Sequence, residues 1–145
     1  MSGSRTPRIR TLALAFVLLL PACLKSTEPQ PSLIQLSGSW NYSGIQTLPV
    51  PETLSGTLNI TRESGTSFQG QIQLVGVNSQ QQQRLLNGSV SGSEIGTDAI
   101  DFDADLETTR RHVGQIVADT ITGTWYSSSD AAMSSGTFRL ERVTR

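Results

Sequence analysis

A chain of 145 residues with 36% hydrophobic residues, 16% charged residues and a net charge of −1 is the length of one domain. It carries no Lys/Arg cluster of the kind a nucleic-acid surface needs. Its single cysteine excludes an intramolecular disulfide.

The first ten residues hold Arg5, Arg8 and Arg10 and no acid, and Thr11–Leu20 is an unbroken apolar run ending at Pro21-Ala22-Cys23. A basic start, a short apolar stretch and a small residue before a cut describe a secretory signal peptide. The run has about half the roughly 20 residues that a membrane-spanning helix requires. Without its three arginines, eight of the eleven basic residues remain against twelve acidic ones, so the remainder is acidic, near −4. The Leu20-Pro21-Ala22-Cys23 stretch resembles the lipobox of bacterial lipoproteins. That resemblance implies that residues 1–22 are removed and that Cys23 becomes a diacylglycerol-bearing N-terminus on the cell envelope. Leu24, where an Asp would signal retention, implies the outer membrane (periplasmic or surface face) in a bacterium with two membranes. An ordinary secreted protein with an incidental cysteine near the cut is the alternative. Residues 23–35, with Pro29 and Pro31, read as a partly extended tether.

From residue 36 to 145 one pattern recurs: apolar, polar, Gly, polar, apolar. It appears at Leu36–Trp40, Leu54–Leu58, Phe68–Ile72, Leu86–Val90 and Ile121–Trp125, with weaker copies at His112–Ile116 and Ser134–Phe138. Strict alternation is the signature of a half-buried antiparallel strand. Glycine shares the apolar face, so it points inward, where it permits bending and close approach. The alternation predicts about eight strands, near 36–46, 54–63, 66–76, 84–92, 98–107, 111–118, 120–127 and 134–143. Gly92-Ser93 and Thr108 to Arg110 are read as turns. Short connections make a meander, and one apolar face asks for closure. The expected fold is therefore an all-β, eight-stranded, antiparallel up-and-down barrel. A sandwich is the runner-up, and a membrane-spanning barrel with an apolar exterior is the third possibility.

The Gly38-Ser39-Trp40 start, the meander and Ile121-Thr122-Gly123-Thr124-Trp125-Tyr126 make the domain similar to the lipocalin and avidin group of small barrels. With only Trp40 and Trp125 present, the resemblance does not extend to a biotin cage.

Trp40, Tyr42, Phe68, Phe102, Trp125 and Phe138 fall on the inward face and are candidate ligand-lining residues. They can equally fill an eight-stranded barrel, which is just wide enough for side chains or one small ligand; the shortness of the strands favours filling. Asp101, Asp103, Asp105 and Glu107 alternate with apolar residues, so they read as a solvated outer face rather than a calcium loop, with Glu107 opposite Arg111 across the turn. His112 is the only histidine, at an inward position, and has neither a nucleophile partner nor further ligands for a metal. No catalytic residue, metal site or cofactor is expected. The expectation is a non-enzymatic envelope lipoprotein holding a small apolar ligand in the barrel. The alternative is a filled barrel that meets an envelope protein, for example as a protease-inhibitor-like module.

Overall fold

The computed structural model describes residues 35–127 and 133–144; Cys23, the signal peptide and all of the tether except Gln35 lie outside the described residues. Eight strands follow one another: β1 (Gly38–Leu48), β2 (Glu52–Ser64), β3 (Ser67–Asn78), β4 (Gln83–Ile95), β5 (Ala99–Asp105), β6 (Thr109–Val117), β7 (Thr120–Ser127) and β8 (Ser134–Arg142). Each pairs antiparallel with the next, and β1 pairs with β8, so the sheet is a closed up-and-down barrel. Every strand alternates buried and exposed positions along most of its length. The apolar side chains face in, and Ser55, Thr57, Asn59, Gln71, Gln73, Asn87, Ser89 and Arg139 face out. The outer face is mainly polar, interrupted by exposed Ile45, Leu85, Val113, Val117 and Tyr126, and the hydrophobic effect closes the ring from within.

The cross-strand register shows how so many large side chains fit. One inward row runs Phe68–Gly92–Phe102–His112–Trp125–Gly136–Gln46 across seven strands. Gly92 separates two phenylalanines, which meet over it with ring centroids 6.0 Å apart. Phe138 is flanked in the same way by Gly44 on one side and Gly123 on the other. At Gly56 and Gly123 the neighbouring backbone comes so near that any Cβ would collide with the carbonyl of Gln73 or of Val113. Backbone, unlike a side-chain tip, cannot swing aside, so these two positions require glycine.

Three boundaries differ from the sequence reading. Strand β4 continues through Gly92-Ser93 and turns only at Gly96, whose φ is 68°. Gly92 is an inward spacer under Phe102, not a turn residue. β5 ends at Asp105 and β6 begins at Thr109, which leaves Leu106–Thr108 as the connection and puts Arg110 in a strand. Arg111 therefore faces Asp103 in the register and binds Asp101 diagonally, while Glu107 leaves the sheet for Arg84, 2.6 Å away.

The barrel has two rims. Gln35–Gly38, the β2–β3, β4–β5 and β6–β7 turns and the end of β8 make one, called here the Trp40 rim. The β1–β2, β3–β4 and β5–β6 connections make the other, the Arg110 rim.

Candidate functional site

Five of the six aromatic candidates gather around His112. Its ring stacks on Phe102 at 4.5 Å with 7° between planes, meets Phe138 edge-on at 5.0 Å, and lies 6.1 Å from Tyr42 and 6.2 Å from Trp125. Phe68 joins through Phe102. Trp40 stands apart, near the rim that bears its name. All six are buried, from 0% exposed at Trp40 to 3% at Tyr42 and Phe138. A hollow large enough for a ligand would leave open area on its walls; these walls touch one another instead. The interior is filled, and the six residues form a core.

His112 is itself 0% exposed. Nδ1 lies 3.0 Å from the Arg110 carbonyl, which can only accept, so Nδ1 carries the proton and donates. Nε2 is then the acceptor for the Tyr42 hydroxyl at 3.3 Å. Burial pulls the imidazole down to about 3, outweighing its backbone hydrogen bond, and Arg110 adds to the depression. Burial likewise raises the Tyr42 phenol. The pair is neutral, and both imidazole nitrogens are engaged.

The Trp40 rim is plugged by the chain's own entry segment. Leu36 is fully buried, its carbonyl accepts from Trp40 Nε1 at 2.9 Å, and the Leu36 and Ser37 amides donate to Glu63 at 3.1 and 3.0 Å. Ser37 Oγ adds a bond of 2.5 Å to the same carboxylate. Burial pushes Glu63 up, but these donors and Arg142 bring it below its ordinary value. Arg142 lies over the Trp40 ring at 4.3 Å and donates to Ser37 O at 3.2 Å and to Gln35 O. Glu94 is buried close by with Oε1 unpartnered, and burial, then Glu63, raises it.

Among the described residues the Arg110 rim carries a depression of about 300 Å³, bordered by Gln46, Val50, Glu52, Arg84, Glu107 and Arg110. Arg84 crosses it, donating from Nε and Nη2 to Glu52 at 3.0 and 2.6 Å and from Nη1 to Glu107 at 2.6 Å. Arg110 is different. It is 3% exposed, its guanidinium rests 4.4 Å above the Trp125 ring, and Nε and Nη1 have no hydrogen-bond partner among the described residues. Trp125 Nε1 is also buried and unpartnered. Burial, then repulsion by Arg84, lowers the Arg110 pKa.

A larger depression, about 430 Å³, lies at the β2–β3 hairpin end and against β4, bordered by Ser64, Ser67, Phe68, Gln69, Ser91 and Gly92, with no charged group in its wall; of the six aromatic candidates it reaches Phe68. Among the described residues no three His, Cys, Asp or Glu side chains converge on one point.

No protein-family model matches the chain, and no curated protein matches it. Solved structures do. The barrel is similar to EF1p2_mFAP2b bound to DFHBI, with a TM-score of 0.60 and 16% identity over 74% of this chain and 94% of that one. It is similar to the redesigned β-barrel b11L5F_LGL, with a TM-score of 0.60 and 17% identity over 75% and 92% of the two chains. It is also similar to the redesigned barrel mFAP1 bound to DFHBI, at a TM-score of 0.54 and 19% identity over 74% and 94%. The fold is that of these small closed β-barrels. At such identities the likeness concerns the fold alone.

The rim residues Arg110, Gln46 and Glu94 had a signal that the sequence reading passed over. Arg110 has the parity of His112, Gly114 and Ile116, and Glu94 that of Val90 and Gly92, so both belong to inward rows. Reading Arg110 as a turn residue hid the first, and ending the fourth strand at Gly92 hid the second.

Proposed function

We propose that the chain is a non-enzymatic, lipid-anchored protein of the cell envelope, whose barrel is a binding module that works at its rim rather than in its interior. Anchoring by diacylglycerol at Cys23, with residues 1–22 removed and 23–35 as tether, rests on the signal-like N-terminus and the lipobox-like Leu20–Cys23. In a bacterium with two membranes it belongs to the outer membrane. The observation that carries the rim reading is the filled interior: the aromatic side chains that could line a cavity pack on His112. Small barrels of this fold accommodate a small ligand, since two of the similar structures are bound to DFHBI. Here side chains take up the inside, and three of the four buried polar atoms that lack partners among the described residues, Arg110 Nε, Arg110 Nη1 and Trp125 Nε1, stand at the Arg110 end, while the fourth, Glu94 Oε1, stands at the Trp40 rim. A non-enzymatic role is supported by His112, whose two nitrogens are committed to Arg110 O and Tyr42 Oη within the buried aromatic cluster.

Metabolic labelling with a clickable fatty acid is expected to mark the wild-type protein in the membrane fraction and to leave Cys23→Ser unlabelled. A neutral apolar dye added to the purified barrel is expected to show no saturable, one-to-one fluorescence gain. Equal labelling of both forms would remove the anchor from the reading, and stoichiometric dye uptake would return the ligand to the interior.

A further inference from the structure

We infer that the Arg110 rim is a binding site for a small organic acid, its carboxylate seated on the Arg110 guanidinium and its apolar body against Val50 and Pro49. This deepens the reading of the barrel as a rim-binding module and rests on it.

A buried arginine is expensive unless its N–H groups are used, because donors withdrawn from water lose their hydration without replacement. Arg110 stacks on the Trp125 indole, and that contact engages only the flat face of the guanidinium. The N–H groups lie in the plane and are not served by it. Nε and Nη1, both buried, remain without partners. Arg110 borders the depression, and each of these nitrogens shares an edge of the guanidinium with Nη2, so a carboxylate that displaces the side chains covering either edge meets a planar two-point fork.

The surrounding acids act on Arg110 through space but make no hydrogen bond to it among the described residues. Glu52 and Glu107 are the acids that border the depression among the described residues, and both are held by Arg84 at 2.6 Å. Arg84 is thereby saturated, so Arg110 is the cation in the depression without an ion pair among the described residues. The depression, about 300 Å³, is at the small end of the range for ligand sites. Pro49 and Val50 border it, with Val50 half exposed. A bare inorganic anion would leave these apolar groups wet; an acid with a compact hydrocarbon body would cover them.

Sodium benzoate serves as the probe, with benzyl alcohol as its uncharged counterpart and inorganic phosphate as the bare anion. The indole N–H resonances of ¹⁵N-labelled protein provide the readout. Trp125 lies directly under Arg110, while Trp40, bonded to Leu36 O at the opposite rim, is the internal reference. Benzoate is expected to shift the Trp125 signal saturably and leave Trp40 in place, with phosphate and benzyl alcohol at least about tenfold weaker. Arg110→Gln is expected to abolish the shift. Should that variant fail to retain the wild-type Trp40 signal, Val50→Asp, which puts a repelling charge on a solvent-facing loop position, is expected to weaken benzoate about tenfold in an intact barrel. Benzoate without effect on Trp125, or effective equally in wild type and variants, overturns the proposal. So does phosphate or benzyl alcohol binding as tightly as benzoate. Benzyl alcohol shifting both indoles would instead show an accessible interior and overturn the rim reading beneath it.

Discussion

At the scale of single residues, the buried imidazole of His112 gives the barrel a distinctive acid response. The folded state holds this group down to about 3 because burial penalises the cation, whereas an unfolded chain titrates it near 6.5. Below pH 6.5 the unfolded state takes up a proton that the folded state refuses. The contribution of His112 is therefore complete above pH 6.5 and is lost as the pH falls toward 3, by up to about 1.4 kcal/mol per unit. Between pH 7 and pH 5, urea unfolding should show the wild type losing about 2 kcal/mol more than His112→Phe. Glu94 works in the opposite sense, since a raised carboxylic acid favours the folded state as pH falls; it is common to both proteins and drops out of their difference. A slope unchanged by the substitution would mean that His112 is protonated in place. Parity placed this residue inside from the sequence alone. Its company was not legible, because which aromatic rings meet depends on register across five strands.

At the scale of the strand, the inward glycines are what the repeated motif encodes. Gly56 lies opposite Tyr42 and Leu74, and Gly123 opposite Phe138 and Gly114; at both the adjoining carbonyl occupies the space of a Cβ. Gly56→Val or Gly123→Val is expected to cost at least about 1–3 kcal/mol through overpacking. Ser55→Val and Thr122→Val, one step along on the exposed face, should stay within about 0.5 kcal/mol. Chemical denaturation of the four variants separates the two sets, and equal losses would reverse the assigned inside and outside. The motif was readable because period-two alternation needs only local sequence. The strand ends were not, since Gly92 has the same composition as a turn glycine and is distinguished only by the Phe102 ring above it. The misplaced start of β6 has the same origin: Arg110 resembles turn material until its partner Trp125, fifteen positions away, is known.

At the scale of the molecule, meander and closure followed from short connections and a single apolar face, which leave few other arrangements. The rim chemistry did not, because it joins residues from β1, the β1–β2 loop, β2, β4, the β5–β6 connection, β6 and β8. Entry and exit of the chain share the Trp40 rim: Val143 N donates to Ser39 O at 2.9 Å, and Arg142 grips the entry segment.

The pairing of β1 with β8 also has a consequence in time. Seven of the eight strand pairs join neighbours in sequence and can zip as the chain appears, but the eighth waits for residues almost a hundred positions later. A polypeptide threaded N-terminus first through a translocation pore would trail an open, curled sheet with two raw edges until Ser134–Arg142 emerged. Those edges are templates for unwanted pairing, so the interval before closure is when this protein is most exposed to aggregation or to a chaperone. Deleting residues 134–145 should make that interval permanent. The truncated protein is expected in the insoluble fraction, and a soluble monomer with a cooperative melt would show that the sheet holds its shape without its final strand.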